Sequence, residues 1–203
     1  MIQVFTVGPF QENCYMLALD GDLLIVDPGD EADRLIEAID ATGLKPRYVL
    51  LTHGHLDHVG AVSALQARYG CPVIAPADEL PLIEQLPLQC QLFGLPPMTP
   101  PRVDRTVADG ESLAFGQGAI EAIATPGHSP GGTCFRVGDH VFVGDTIFQG
   151  GVGRTDLWGG SWPTLEQSNR ERIITLPEHL ALYPGHGPAT TVGDEKRSNP
   201  FFQ

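Results

Sequence analysis

The stretch Thr52-His53-Gly54-His55-Leu56-Asp57-His58 decides how the rest of the chain is interpreted. It places three imidazoles and one carboxylate within six residues, directly after the apolar run Tyr48-Val49-Leu50-Leu51. Neutral imidazole and carboxylate are the ligands that zinc, iron and manganese take in proteins. Chance is a poor explanation for such a run, so the stretch predicts a metal-binding loop at the end of a buried strand.

Three further loops carry the same ligand types where strands are predicted to end. They are Thr125-Pro126-Gly127-His128, Gly144-Asp145-Thr146 and Tyr183-Pro184-Gly185-His186. Ligands at strand ends are held by the sheet while they face an open edge, which is the rigid placement that a metal site needs. Five of the seven histidines fall in the four loops. The other two, His140 and His179, have no partner motif and are interpreted as surface or structural residues.

The composition limits the functions open to the chain. Twelve basic and twenty-five acidic residues among 203 give a formal charge of -13 without a basic cluster, which argues against nucleic-acid binding. The four cysteines are scattered and form no C-x-x-C pair, so we expect reduced, buried thiols. No signal-peptide pattern or membrane-spanning run is present. We expect a cytoplasmic protein, a monomer or small homo-oligomer, whose partner is a small molecule.

Hydrophobic periodicity predicts that a group of strands with helices occurs twice along the chain. In the first half we expect strands at 2–7, 14–19, 23–26, 48–52 and 73–75, the first three antiparallel. Helices are expected from a cap at Asp30 to Gly43, and from about His58 to Tyr69. In the second half we expect strands at 112–115, 119–124, 133–137, 140–143 and 179–183. A capping box of Thr164 and Gln167 predicts a helix running to about Leu176.

The length and the 42% hydrophobic content suit one domain spanning residues 1–203. Prolines recur around 78–103, where one short helix near 78–86 is expected. This segment is therefore interpreted as an irregular Pro-rich insertion or lid. Its apolar residues are expected to cover the cleft or to bury a subunit contact: Leu92, Phe93, Leu95 and Met98.

The ligand loops together resemble one known family. His53-x-His55-x-Asp57-His58, followed by His128, Asp145 and His186, is similar to the metallo-β-lactamase superfamily over nearly the whole chain. The resemblance implies an α/β fold, an αβ/βα four-layer sandwich of two mixed sheets with helices outside. It also implies that Asp27 supports the histidine loop.

The same resemblance implies two divalent metal ions at one edge of the fold. The first ion would be held by His53, His55 and His128, the second by Asp57, His58 and His186, and Asp145 would bridge them. Zinc is the favoured metal, with iron and manganese as alternatives, because the same ligands accept all three.

The flanking residues resemble those of short bacterial glyoxalase II-type hydrolases, notably Gly153-Arg154-Thr155-Asp156. This implies cleavage of a thioester, with an S-2-hydroxyacylglutathione as the specific expectation, by a hydroxide that bridges the metals. Asp57 and Asp145 would orient the hydroxide, and Arg154 would contact glutathione. The alternative for Arg154 is a structural ion pair with Asp156. Asp156 stands where long glyoxalase II enzymes have Tyr, which leaves another thiol carrier open.

Two other functions stay open at this point. Persulfide dioxygenases resemble this branch, share the Gly-Arg-Thr-Asp segment and use a single iron held by the equivalents of His53, His128 and Asp145. A metal-binding or partner-binding domain without catalysis is the third possibility. The complete ligand set favours an enzyme over that third possibility.

Overall fold

The computed structural model describes all 203 residues, which divide into two compact units. The first unit comprises Met1–Val107 with Phe115–Gln117, and the second comprises Ala108–Ala114 with Gly118–Gln203. Each unit has a six-stranded sheet and a cluster of buried apolar side chains. None of the helices has the length and apolar character needed to cross a bilayer.

The sheet of the first unit is mixed. Its strands are β1 (Ile2–Val7), β2 (Glu12–Leu19), β3 (Asp22–Val26), β4 (Pro46–Leu50), β5 (Val73–Pro76) and β6 (Arg105–Val107), in that spatial order. The first three strands are antiparallel, as predicted. β3 to β6 are parallel. Val49 and Leu50 in β4 have no exposed surface, in keeping with a parallel strand that is covered on both faces.

The helices of the first unit are short. They are α1 (Ala32–Thr42), α2 (Leu56–Val59), α3 (Val62–Tyr69), α4 (Leu80–Glu84) and α5 (Leu86–Leu92), with a 3-10 turn at Ala77–Glu79. α1 buries Leu35 and Ile39 and ends at Gly43, as predicted. The predicted cap at Asp30 is wrong: Glu31 precedes the helix with φ 52°, and its N–H donates to Asp30 Oδ1 at 2.6 Å.

One predicted helix, from His58 to Tyr69, is broken into α2 and α3. The break has a packing cause. Ala61 N–H donates to the carbonyl of Pro28 at 3.0 Å, and a Cβ added at Gly60 would lie 2.3 Å from the carbonyl oxygen of Gly29. The backbone at the break is therefore bound to the turn that follows β3, and it cannot keep a continuous helical hydrogen-bond pattern.

The Pro-rich segment is more helical than the sequence analysis predicted, since α5 was not expected. Pro81 and Pro87 lie in the first turns of α4 and α5. A proline at the start of a helix removes an N–H that has no partner within the helix, so it does not interrupt the hydrogen bonds. The two helices bury Ile83 and Leu86 in the core of the first unit.

The sheet of the second unit is also mixed. Its strands are β7 (Ser112–Phe115), β8 (Gly118–Ala124), β9 (Thr133–Val137), β10 (His140–Gly144), β13 (Ala181–Pro184) and β14 (Thr190–Thr191). Their spatial order is β14-β13-β10-β9-β8-β7. β10 is parallel to β13 and antiparallel to β9, with a hairpin turn at Gly138-Asp139. A separate pair, β11 (Ile147–Phe148) and β12 (Gly151–Val152), follows the Asp145 loop.

The helices of the second unit are α6 (Trp162–Ser168), a π-helical continuation at Asn169–Ile173, and α7 (Val192–Ser198). The predicted capping box is wrong, because Ser161 is the cap of α6 and its Oγ accepts from Thr164 N at 3.4 Å. α7 was not predicted. Its cap is Thr191, whose Oγ1 accepts from Asp194 N at 3.1 Å.

Candidate metal centre

The histidine loop, residues 52–58, leaves β4 and is held by a buried carboxylate. Asp27 Oδ1 accepts from Thr52 N at 2.7 Å, and Asp27 Oδ2 accepts from Thr52 Oγ1 at 2.6 Å. His58 Nδ1 lies 3.1 Å from Asp27 Oδ2. Asp27 therefore supports the loop, as the resemblance implied. Because Nδ1 of His58 lies against this carboxylate, Nε2 is the ring nitrogen that is left to bind a metal ion.

The side chains of the histidine loop converge in a buried cluster. Asp27, His53 and His58 each place a ligand atom within 4.8 Å of the others. The rings of His53 and His55 meet at 87° with centroids 4.8 Å apart, and those of His53 and His58 lie 4.1 Å apart. His58 Nε2 is 4.0 Å from Asp57 Oδ2. The imidazoles of His53, His55 and His58 together with the Asp57 carboxylate are therefore a candidate donor set for a metal ion.

Two buried residues that sequence reasoning missed hold the backbone of the histidine loop. Glu79 Oε2 accepts from Gly54 N at 2.7 Å. Gln89 Oε1 accepts from Leu56 N at 2.9 Å, and its Nε2 donates to Gly54 O at 3.0 Å. A signal for Glu79 exists in the sequence, since this acid occupies a position in helical register with the apolar Ile83 and Leu86. A polar residue at such a position indicates a buried hydrogen bond.

A second acid, Glu12 at the start of β2, is fully buried and places Oε1 3.8 Å from His58 Nδ1. Two residues further along the strand, burial and the nearby carboxylates Glu12 and Asp27 raise the pKa of the Cys14 thiol well above its usual range. The raised pKa favours the neutral form of the Cys14 thiol. All four cysteines are buried and free of disulfides, as the sequence predicted.

The second unit has its own ligand cluster, built from three separate strand-end loops. Asp145 Oδ2 lies 3.6 Å from His128 Nε2 and 3.6 Å from His186 Nε2. These distances are too long for good hydrogen bonds. Two donors on one tetrahedral ion are separated by about 3.3 Å, given ligand bonds of about 2.0 Å. The spacing thus fits donors arranged around a cation.

Neutral groups hold these loops in place. His128 Nδ1 lies 2.7 Å from the backbone oxygen of Arg154, which directs Nε2 toward Asp145. Under the loops, Thr125 Oγ1 is 2.9 Å from Thr146 Oγ1 and 3.2 Å from Cys134 Sγ. Close packing adds to this, because a Cβ at Gly153 would lie 1.9 Å from the backbone oxygen of Asp145. Only a glycine fits there.

The order of these ligands along the chain matches a known family. A family profile for the metallo-β-lactamase superfamily matches residues 7–186. The chain belongs to this superfamily. Hydroxyacylglutathione hydrolase GloC of Haemophilus influenzae is 41% identical over 206 residues, which cover 99% of this chain and 97% of GloC.

Two solved structures share the fold over their full length. The crystal structure of TTHA1623 in a di-iron-bound form superposes with a TM-score of 0.91 at 40% identity, covering 98% of this chain and 99% of that one. The BLEG-1 B3 metallo-β-lactamase superposes with a TM-score of 0.94 at 36% identity, covering 100% of both chains. The protein thus has the metallo-β-lactamase fold, with two mixed sheets and helices, and is a metal-dependent hydrolase of that superfamily.

The residues of this superfamily member fit the metal ions that the family binds. In each unit one imidazole is oriented by an acceptor on its far nitrogen, Asp27 for His58 and the Arg154 carbonyl for His128. Such partners fix the tautomer and the ring orientation of a metal ligand. Imidazole with carboxylate accepts zinc, iron or manganese, so the donor set leaves the metal open.

Arg154 forms the ion pair that the sequence left as its alternative role. Its Nε and Nη2 donate to the two carboxylate oxygens of Asp156, each at 2.7 Å. This hydrogen-bonded pair lowers the pKa of Asp156 to about 2 and raises that of Arg154. Both side chains are more than half exposed. A substrate carboxylate that binds Arg154 has to compete with Asp156.

Proposed function

We propose that this chain is a dinuclear metallo-hydrolase that cleaves thioesters, with an S-2-hydroxyacylglutathione as the substrate. The observation that carries the proposal is the placement of Asp145 Oδ2 at 3.6 Å from both His128 and His186. A carboxylate oxygen equidistant from two imidazole nitrogens suits a bridging ligand. The similarity to GloC, 41% over 206 residues, supports the choice of substrate.

The proposed ligands are those of the resemblance. One ion would be held by His53, His55 and His128 and the other by Asp57, His58 and His186, with Asp145 as a ligand that both would share. When bound, such ions lower the pKa of water toward neutrality and polarise a carbonyl oxygen. Zinc is our first choice among the metals that these ligands accept, and iron has the support of the di-iron form of TTHA1623.

The chain's own carboxylates orient the attacking water. Asp57 and Asp145 carry oxygens that accept its hydrogen bonds, and neither side chain is more than 18% exposed, so bulk water competes weakly. The thiol that leaves has a pKa of about 8.5, and it departs as a thiolate near neutral pH. A dedicated general acid is therefore unnecessary. Arg154 would bind a carboxylate of the glutathionyl group, in exchange for its contact with Asp156.

The test is hydrolysis of S-lactoylglutathione by the protein loaded in turn with zinc, iron and manganese. We expect turnover that Asp57→Ala lowers by at least about 100-fold, since the variant loses both a ligand and an acceptor for the water. Arg154→Met should raise KM and change kcat little, because Arg154 contacts only the carrier.

Three parallel assays separate the alternatives. Oxygen consumption with glutathione persulfide, without thioester cleavage, would assign a dioxygenase in place of the hydrolase. Turnover of a β-lactam alone would instead assign a lactamase activity, in line with the similarity to the B3 metallo-β-lactamase BLEG-1. Absence of any turnover with every metal in the series would leave a binding domain. Parent-like activity in Asp57→Ala would also refute the proposed mechanism.

A further inference from the structure

A cavity of about 250 Å³ opens beside Asp57 in the first unit. Its walls come from the turn after β1, from the start of α2 and from the segment that follows α5. We call this cavity the Asp57 pocket. Most of its side chains are apolar, among them Val7, Pro9, Phe10, Leu56, Leu95 and Met98.

The walls of the Asp57 pocket are held by packing. Leu95 and Met98 pack against the apolar core of the first unit. A Cβ added at Gly60 would lie 3.0 Å from the Met98 sulfur, so the methionine packs against the residue that directly follows α2. Phe10, which also lines the pocket, packs edge to face on Phe93 with ring centroids 5.5 Å apart. Ordered walls let a pocket select its occupant by size.

The charges in the pocket oppose an anionic occupant. Asp30 and Asp57 line it, and no lysine, arginine or histidine does. The two carboxylates of a glutathionyl group would meet like charges there, without a cation to bind them. An uncharged apolar group is stabilised in the same place because it leaves water.

We propose that the Asp57 pocket binds the side chain of the acyl group, and that the chain prefers thioesters whose acyl group carries an apolar substituent of phenyl size. The inference rests on the proposed function, and it names the acyl group. The cavity of about 250 Å³ exceeds the roughly 150 Å³ that hold a benzene molecule. Asp57 lines the pocket and is a proposed metal ligand, so an occupant lies close to the carbon under attack. The substituent of the acyl group is next to that carbon, whereas the carboxylates of the carrier are many bonds away.

The activity test compares S-mandeloylglutathione with S-lactoylglutathione, which carry phenyl and methyl on the same 2-hydroxyacyl group. We expect the metal-loaded protein to favour the mandeloyl thioester in kcat/KM by about 10-fold or more. Leu95→Gln places an amide of similar size in the pocket and should bring the ratio to about 2 or below. Leu92→Gln is the matched control, because Leu92 is 76% exposed and does not line the pocket. It should keep the parent ratio.

A binding measurement makes the inference independent of turnover. Calorimetric titration of the metal-loaded protein with mandelate and with lactate should give about 10-fold tighter binding of mandelate. The difference should be lost in Leu95→Gln and kept in Leu92→Gln. Equal binding of the two acids by the parent, or equal binding of mandelate by both variants, overturns the pocket assignment even where both thioesters are cleaved.

Two further outcomes distinguish the pocket assignment from the proposed function and from a dimer contact. If mandelate binds as expected and neither thioester is cleaved, the proposed function fails while the pocket assignment stands. If the parent is a dimer in sedimentation that dissociates in Leu95→Gln and not in Leu92→Gln, a second copy of the chain occupies the pocket. That result overturns the inference.

Discussion

The two ligand clusters are supported in different ways. In the first unit the candidate ligands are nearly consecutive, at 53–58, and their remote support includes two buried acids beside the Gln89 amide: Asp27 and Glu79 accept hydrogen bonds from the histidine loop inside the protein. In the second unit each ligand comes from a different loop, and the support is neutral, from Thr125, Thr146 and a backbone carbonyl. The carboxylate Asp109 also forms an ion pair in the second unit, but at the surface.

This difference has an energetic consequence. A buried carboxylate that accepts several hydrogen bonds cannot be replaced by water, so its removal leaves buried donors without partners. A neutral hydroxyl contributes one modest hydrogen bond, and an exposed carboxylate is largely hydrated in any case. We therefore expect the loss of stability to be largest for variants at the buried carboxylates, smaller for a variant at the neutral hydroxyl, and smallest for a variant at the exposed carboxylate.

The largest effect is expected for Asp27→Ala. The variant removes the acceptor for Thr52 N and Oγ1 and the partner of His58 Nδ1. We expect the unfolding free energy to fall by about 3 kcal/mol and metal affinity to fall about 10- to 100-fold. Denaturant unfolding and competition with a chelator measure the two effects.

The control for this variant is Asp33→Ala, which removes an exposed carboxylate from the first turn of α1. It should change stability by less than about 0.5 kcal/mol. An Asp27→Ala protein that held metal as tightly as Asp33→Ala would show that the histidine loop is ordered without its buried acid, and the contrast between the two clusters would be lost.

The next effect is expected for Glu79→Ala, which leaves the buried N–H of Gly54 without its acceptor. We predict a loss of about 1–3 kcal/mol in unfolding free energy and a smaller loss of metal affinity than in Asp27→Ala. Glu79→Gln keeps an acceptor oxygen and should recover most of the loss. Glu84→Ala, at an exposed position of α4, is the control. Equal stability of Glu79→Ala and Glu84→Ala would contradict the prediction.

The same contrast explains what the sequence could predict. The candidate ligands could be proposed from the sequence because the histidine run is local and because each remaining candidate follows an apolar strand, and parallel strands of one sheet end at a common edge. Ten of the fourteen strands were predicted from periodicity, within a few residues of their observed ends, as for β9 at Thr133–Val137. The short strands β6, β11, β12 and β14 were not predicted. Family resemblance then assigned Asp27.

The remaining features depend on contacts between distant residues. Glu79 and Gln89 reach the histidine loop from helices about 25 and 35 residues further along the chain, in a segment interpreted as a lid. The break between α2 and α3 results from contacts with the turn at Pro28. The sequence around Gly60 gives no signal of these contacts. The sequence allows two roles for Arg154, a substrate contact and an ion pair with Asp156. It does not decide between them, because two residues at this spacing form an ion pair only when the loop adopts a particular conformation.

A smaller effect is expected for Thr146→Val in the second unit. The variant keeps the shape of the side chain and removes the hydroxyl that lies 2.9 Å from Thr125 Oγ1. We predict a loss of about 1 kcal/mol, the net value of one neutral hydrogen bond, and metal affinity within about two-fold of the parent. Thr175→Val, at an exposed position, is the control. If Thr146→Val lowered the unfolding free energy as much as Asp27→Ala, the neutral hydroxyl would contribute as much to stability as the buried carboxylate.

The smallest effect is expected at the exposed carboxylate of the second unit, and it depends on pH. Arg172 donates two hydrogen bonds to Asp109, at 2.6 and 3.1 Å, and thereby holds the pKa of Asp109 below its usual range. A carboxyl whose pKa is lower in the folded state adds stability above its unfolded pKa of about 3.9 and loses that contribution as the pH falls through the folded value.

Asp109→Asn keeps an oxygen that can accept from Ala124 N and removes only the charge. Since both partners are about half exposed, the pair is worth no more than about 1 kcal/mol, and the midpoint of thermal unfolding should fall by about 2 °C at pH 7. The difference between the parent and the variant should shrink in 1 M salt, and it should disappear as the pH falls through the lowered pKa of Asp109. A difference that stayed constant down to pH 2 would mean that the charge of Asp109 contributes nothing, and that the asparagine destabilises the segment before β7 by its geometry.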